Sequence, residues 1–417
     1  MRYSTAKKVL NYLLLLTIVI VPFNIEKNIR GVWITSTDVL TVFLFVLWLI
    51  LILKNKEQIG FKKLPLFPLI LVLIITFLAS SLNSINIFLT LKETAKFILI
   101  FAFFYLLVYN LNNKFSLNLL PKIITICAFI VSVWFVIDFS SGKVLLAGIG
   151  GRTWYRIFGP YTHLNSLGTY LTITIPFGFF HIFAENKLRY KLIFFPIVII
   201  QMIALFLTYS RSNWLALGSV LFLYLLFRYK IRGILYFIVF IFISFLLGSF
   251  LIPSSEISKR FLSTFDSKEL SILDRKEHLQ TAVLMIKKYP LTGVGLGNFQ
   301  LAAKKYFNKG LTETAHNIFL HYGSEAGIFS MVILLIIIVK YFWDTFGIHK
   351  NLPKNNFFQL LLSCSTISFL GLFISAQFGD PFVRNTKEFF VLLLALPYLI
   401  KSSSERLRLE KNCPKIF

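Results

Sequence analysis

Residues 253–325 read PSSEISKRFLSTFDSKELSILDRKEHLQTAVLMIKKYPLTGVGLGNFQLAAKKYFNKGLTETAHNIFLHYGSE, the one long polar interval in an otherwise apolar chain. The interval holds Arg260, Arg275, Lys276, Lys287 and Lys288, then a glycine-rich segment, then Ala315-His316-Asn317. On both sides the sequence reads as membrane span. Of the 417 residues, 57% are hydrophobic and only 15% charged, whereas a soluble domain is about one quarter charged. Long apolar runs of this kind define an integral membrane protein.

About twelve helical spans are expected at the ~20-residue length that crosses a bilayer. They fall near 9–23, 38–53, 66–82, 96–110, 120–138, 163–183, 191–209, 212–227, 232–251, 324–342, 357–377 and 386–400. The first follows Lys7-Lys8 and leads into Val21-Pro22-Phe23 with no small-residue cleavage site, so it reads as an uncleaved span. The expected fold is an all-α polytopic membrane protein with one large extracytoplasmic loop containing amphipathic helices. Its segments are 1–251 with spans one to nine, the loop 252–323, 324–400 with spans ten to twelve, and a basic tail 401–417. Pro176 and Pro196 fall inside spans, where neighbouring helices re-satisfy the backbone. No internal repeat is visible.

Loop charge sets the expected orientation. With the N-terminus in the cytoplasm, 23 Lys and Arg fall on the inside, 10 in the short outer segments and 10 in the long loop, which obeys the charge rule poorly. Both termini are then cytoplasmic and the long loop is outside. The formal net charge of +25 needs no nucleic-acid partner, because cytoplasmic loops collect basic residues. Cys127 and Cys364 lie in apolar runs and Cys413 in the tail, with neither zinc spacing nor a disulfide framework.

Within the loop, Asp274-Arg275-Lys276-Glu277 resembles a capping box, with Leu279, Ala282, Val283 and Ile286 following at helical spacing and Pro290 ending the element. Arg275 is therefore expected in the first turn of an amphipathic helix, beside free backbone N–H groups that suit a phosphate. Contact with lipid headgroups is the plainer reading of the same arginine. Thr208-Tyr209-Ser210-Arg211-Ser212-Asn213-Trp214 joins two apolar runs with almost no loop. Arg211 sits there at a span end, either snorkelling beside Trp214 or fixed as a cation for an anionic substrate, and the surrounding hydroxyls favour the second.

His316 precedes a span with Asn317 beside it. An imidazole suits proton abstraction from a hydroxyl near neutral pH, though a histidine at a helix start also serves as a polar cap. His321 and Glu325 share a helix face at i,i+4, but two ligands are too few for zinc. Gly293-Val294-Gly295-Leu296-Gly297-Asn298 follows a helix, not a strand, so it reads as a tight turn returning the chain to the membrane and not as a nucleotide loop. A second outer cluster carries Arg152, Arg156, His163 and Asn165 among aromatics. Such a mixture suits sugar faces and phosphates, and more commonly an interfacial belt. Asp380, in Gly379-Asp380-Pro381, is an outer carboxylate that also reads as a turn residue.

Four pieces together resemble the O-antigen ligase/polymerase superfamily. They are Gly159-Pro160 through His163-Leu164-Asn165, Tyr209 through Trp214, Pro290-Leu291-Thr292-Gly293-Val294-Gly295 through Asn298-Phe299, and Ala315-His316-Asn317 with Glu325-Ala326-Gly327. The resemblance implies a glycosyltransferase of the bacterial inner membrane, with its site on the periplasmic side. The donor it implies is an undecaprenyl-pyrophosphate-linked glycan. The acceptor is a lipid A-core hydroxyl in a ligase, another lipid-linked glycan in a polymerase, or a protein in an oligosaccharyltransferase branch. It further implies a metal-independent, inverting reaction without cofactors, in which arginines bind pyrophosphate and a loop histidine activates the acceptor. Arg211, Arg275 and His316 stand at the matching positions. Tyr209 and Asn317, with Arg152, Arg156, His163, Asn165 and Asp380, are further candidates for substrate contact.

The chemistry supports the same assignment. Pyrophosphate is a capable leaving group that needs its growing charge stabilised, which fixed guanidinium groups supply, and the acceptor needs a base. A transporter is the alternative from another class. It is disfavoured because the expected spans hold few acids, Asp138 lying near a span end.

Overall fold

The structure, a computed structural model, describes residues 3–23, 25–29, 32–55, 64–141, 145–149, 152–156, 161, 164–184, 187–238, 270–310, 314–354, 356–379 and 386–412. The chain is mostly helical. Helices α1 (Tyr3–Ile20), α2 (Ser36–Asn55), α3 (Phe67–Ala79), α4 (Ile87–Asn110), α5 (Lys114–Ser140), α6 (Leu164–Ala184), α7 (Leu188–Leu207) and α8 (Arg211–Tyr229) come first. Residues 231–238 are also helical. The polar interval holds α9 (Leu270–Lys288) and α10 (Phe299–Phe307), and α11 (Ile318–Asn351), α12 (Phe357–Ser375) and α13 (Lys387–Asn412) complete the chain.

Seven helices among the described residues (α1, α2, α5, α6, α7, α11 and α12) are long and apolar enough to cross a membrane, while α3 and α8 are shorter apolar helices. A helix stands at each expected span position that falls in the described residues; the count of twelve stays an expectation. Helix α4 carries Lys92, Glu93 and Lys96 near its start, where both lysines pair with Glu93 at 3.3 and 3.0 Å.

Burial patterns fit a bilayer. On α2, Thr37, Thr41, Leu44, Trp48 and Ile52 face the bundle, and Val39, Val42, Phe43, Val46, Ile50 and Leu53 are exposed. Apolar residues facing outward are at home in lipid, where the alternative environment is equally apolar. Helix α6 is buried nearly all round, packed among α5, α7, α8 and α12. The first half of α13 is buried likewise, between α4 and α12. At its start, Lys387 pairs with Asp38 of α2 at 2.8 Å, and Thr37 donates to Glu388 at 2.7 Å, so two helices distant in sequence are tied by buried polar groups.

Three features add to the expectation. Two antiparallel hairpins, β1 (Glu26–Ile29) with β2 (Val32–Thr35) and β3 (Leu145–Ile149) with β4 (Arg152–Arg156), occupy connections expected to be plain loops. The basic stretch after Lys401 continues α13 to Asn412, with Ser403 buried and Arg408 donating to the Asn351 carbonyl. Helix α11 starts at Ile318, within the last part of the polar interval.

Candidate active site

The site is built on a broken helix. Gly327 interrupts α11 with φ 83 and ψ 170, leaving the carbonyls before it without helical partners. The glycine-rich segment supplies them. Val294 N–H donates to Ser324 O at 3.0 Å, Gly295 N–H donates to Glu325 O at 2.9 Å, and Ile328 N–H reaches Pro290 O at 2.8 Å. Gly293, Gly295 and Gly297 have φ of 66, 99 and 76, a conformation only glycine adopts freely, so the tight-turn reading of this segment is right. A Cβ on Gly327 would overlap the Leu291 carbonyl. Gly327→Ala is therefore expected to cost at least about 1–3 kcal/mol, seen as a lowered unfolding midpoint in detergent; an unchanged midpoint would remove this account of the break.

The Glu325 carboxylate faces the start of α10. Its Oε2 accepts from Gly297 N–H at 2.7 Å and its Oε1 from Phe299 N–H at 2.9 Å, while His321 Nε2 lies 3.7 Å from Oε2. A carboxylate at a helix N-terminus is favoured by the unpaired amides and the dipole there. Asn298 ties the same corner to the α3–α4 connection, accepting from Asn86 N–H at 2.9 Å and donating to Thr90 Oγ1 at 2.9 Å. Glu325→Gln, at a residue 1% exposed, is expected to destabilise the fold by about 1.5–3 kcal/mol through the loss of a charged acceptor. Thermal unfolding checks this, and a wild-type midpoint would contradict it.

His316 lies just before the start of α11 in this scaffold. Its backbone is left-handed, φ 57, between fully buried Ala315 and Asn317. Asn317 is the N-cap of α11: its Oδ1 accepts from Phe319 and Leu320 N–H at 3.1 and 3.0 Å, and its Nδ2 donates to Gln377 Oε1 at 3.1 Å. The capping role expected as an alternative for His316 thus belongs to its neighbour. Ile318 N–H donates to Ala376 O at 3.0 Å, which seats the turn after α12 against the start of α11.

The His316 ring meets His278 edge-on, centroids 4.9 Å apart, and bonds to the Phe378 backbone. Arg275 lies over the Phe378 ring, its Cζ 6.0 Å from the centroid. Burial pushes the His316 imidazole down to about 4; His278, then Arg275 and His321, oppose its proton further, and the bond to Phe378 works the other way. The ring is therefore neutral at pH 7 and holds one lone-pair nitrogen.

The capping box does not exist. Helix α9 is already formed at Leu270, so Asp274 and Arg275 are both interior to it. Asp-x-x-Glu also occurs within helices, and Leu270-Ser271-Ile272-Leu273 contains no breaker to start one afresh. The Asp274 carbonyl instead receives the His278 ring. Helix α9 is also rotated from the expected register. Its buried face is His278, Thr281, Ala282 and Met285, packed toward α11, whereas Val283 is 38% exposed.

Arg211 opens α8, where the helix dipole favours an anion. Tyr209, just before it, is left-handed like His316, with φ 51. Asn213 organises this end: its Oδ1 accepts from Ser375 Oγ at 2.8 Å and Thr169 Oγ1 at 3.2 Å, and its Nδ2 donates to Ser210 Oγ at 2.8 Å and Asn165 O at 3.1 Å. Asn165 Oδ1 accepts from Ser210 Oγ at 2.9 Å, so its amide oxygen is engaged in scaffold. The end of α12 is the common neighbour. Ser375 touches the first turn of α8, and Phe378 touches His316 and Arg275. Arg152 and Arg156 belong to β4, paired with Ile149 and Leu145, and their side chains lie outside the described residues, as do His163 and Asp380. Among the described residues no cluster of three or more His, Cys, Asp or Glu is arranged to hold a metal.

Sequence reasoning missed His278, Ser375, Gln377 and Phe378. His278 was within reach, because it stands three residues after Arg275 and so shares its helix face.

Fold and site together define a multi-pass helical membrane protein with cationic and imidazole groups gathered near the end of one helix. Residues 196–335 match the family model described as O-antigen ligase, and this match supports the O-antigen ligase superfamily, whose members are glycosyltransferase-like membrane enzymes. That family implies lipid-linked glycan and lipid acceptor partners in general. The matched segment contains Arg211, Arg275 and His316. No curated protein matches the chain significantly.

Proposed function

We propose that the protein transfers a glycan from an undecaprenyl-pyrophosphate carrier to a lipid A-core hydroxyl at the periplasmic face of the inner membrane, as an inverting, metal-independent ligase. The observation that carries this reading is the meeting of Arg275 and His316 at Phe378, three residues along from the Ser375 contact to the start of α8. Arg275 and Arg211 bind the pyrophosphate. His316 takes the acceptor hydroxyl proton as the acceptor oxygen bonds to the sugar C1. The C1–O bond to phosphate breaks from the opposite side, and the pyrophosphate leaves with the electron pair. The arginines stabilise the charge growing on that leaving group, the step where preorganised donors have most effect. Apolar grooves between helices hold the polyprenyl tail.

Polymerisation of lipid-linked repeats uses the same groups with a different acceptor. Purified protein in proteoliposomes, given lipid-linked glycan with and without lipid A-core, separates the two. Product on lipid A-core alone supports ligation, a ladder on the carrier supports polymerisation, and no transfer in either case overturns both. A reporter inserted near Lys276 is expected on the outer side, and a cytoplasmic signal would overturn the assigned face.

A further inference from the structure

A short pattern, Leu-x-x-Lys-Lys-Tyr, occurs twice in the polar interval, as Leu284 to Tyr289 and as Leu301 to Tyr306. We propose that the two copies together form a docking surface for anionic phospholipid headgroups, which seats the polar interval on the membrane. The outer face assigned above makes this the outer leaflet; nothing else in the inference rests on the function proposed there.

The first copy falls at the end of α9 and the second at the end of α10. Both show the same burial. The leucine and both lysines are exposed, the residue after the leucine (Met285, Ala302) is fully buried, and the tyrosine is half-buried. Residues three and four apart on a helix are neighbours, so each leucine lies one turn from its lysine pair on the same face. The fold brings the copies together. The Tyr289 and Tyr306 rings are 5.8 Å apart. Lys288 Nζ lies 4.0 Å from the Tyr306 centroid and 5.5 Å from that of Tyr289, and Lys305 Nζ lies 5.4 Å from that of Tyr306.

Lys309, just past α10, pairs with Glu277 at 2.6 Å; among the described residues no ion pair involves Lys287, Lys288, Lys304 or Lys305. A lysine pair in the last turn of a helix offsets its dipole, which accounts for each pair alone. It does not account for an exposed leucine one turn before each pair, nor for two basic helix ends brought together against their mutual repulsion. Clustered charge of one sign draws the opposite sign. Lysine, tyrosine and leucine are the side chains of a headgroup boundary: the ammonium meets phosphate, the phenol sits at the interface and the leucine enters the acyl edge. The leucines favour lipid over a water-soluble acidic glycan, which has no apolar phase to receive them.

The segment between the copies is bonded to the bundle where helices end. Asn83, after α3, donates to Thr292 Oγ1 at 2.5 Å, and the N–H of Asn86, the N-cap of α4, donates to Asn298 Oδ1 at 2.9 Å. Leu82, Phe88 and Leu291, beside these bonds, are exposed in the manner of lipid-facing side chains. Arg275 lies earlier on α9, so seating the end of this helix among headgroups also sets the depth of that arginine.

Spin labels at Val283→Cys and Gln300→Cys, the exposed position before each leucine, read immersion in full-length Cys413→Ser protein; Cys127 and Cys364 are buried. The protein is reconstituted in vesicles of phosphatidylcholine, alone or mixed with phosphatidylglycerol. Relaxation of each label by lipid-dissolved oxygen is compared with relaxation by a water-soluble nickel chelate. Both labels are expected to shift from nickel toward oxygen when phosphatidylglycerol is present. Each lysine near an anionic surface contributes about fivefold to partitioning. Lys287→Gln, Lys288→Gln, Lys304→Gln and Lys305→Gln combined should therefore abolish the shift, with the unfolding midpoint kept. Labels equally open to nickel in both vesicles, or a shift that survives the four replacements, overturn the proposal. A label slowed by soluble polyuronate in phosphatidylcholine vesicles, with no shift on adding phosphatidylglycerol, also overturns it and assigns the surface to an acidic glycan. No glycan transfer enters the readout, so failure here and failure of the enzymatic reading are told apart.

Discussion

Replacing His316 with alanine is expected to lower glycan transfer by about 10²–10⁴-fold, the range contributed by a positioned general base. The substitution also carries a backbone effect that must be separated from the chemistry. His316 is left-handed at φ 57, a conformation that strains any residue with a Cβ and that histidine tolerates better than alanine. Two companions remove that ambiguity. Glycine adopts the conformation without strain, and asparagine tolerates it better than most residues, but neither takes a proton. All three variants should lose transfer, while Gly and Asn keep the unfolding midpoint near wild type. Turnover at the wild-type rate in His316→Gly would end the base assignment.

Arg275→Lys is the second large effect, an expected loss of about 10²–10³-fold in transfer, typical of removing one preorganised donor from a developing negative charge. The charge is kept, so a purely electrostatic role predicts little change. What lysine loses is the planar fork that grips a phosphate bidentately and the flat face that lies over an aromatic ring, here Phe378 at 6.0 Å. Arg211→Lys should act in the same direction from the start of α8. Rates measured with saturating donor, alongside direct donor binding, locate the defect. If Arg275→Lys keeps both, the pyrophosphate role belongs to another residue.

Much of the fold was legible because bilayer helices announce themselves by length and apolarity, and the four motif pieces stand in order along the chain. Arg211 and His316 drew notice as polar groups beside spans, and Arg275 as a cation of the polar interval; their part in a site is the proposal made above. What the residues alone did not reveal is where side chains meet. Asp274-x-x-Glu277 looked like a helix start because local sequence cannot say whether helix already exists upstream. Ser375, Gln377 and Phe378 are ordinary residues for the end of a span, and only tertiary packing turns them into the floor shared by α8 and α11. Asn317 and Asn165 were expected from their motif positions to contact substrate, and their oxygens tie helix starts, a use that only the packing reveals.

The stitching of residues 290–295 onto the interruption at Gly327 means that this connector and the helix beside it open together. Amide hydrogens of Val294 and Gly295 should exchange with solvent as slowly as those buried in the bundle, despite lying in a region without regular structure. Recombining such proteins therefore has a natural grain: a chimera that swaps 290–298 must bring 324–328 from the same parent, or the interruption is left with amides and carbonyls that no longer meet.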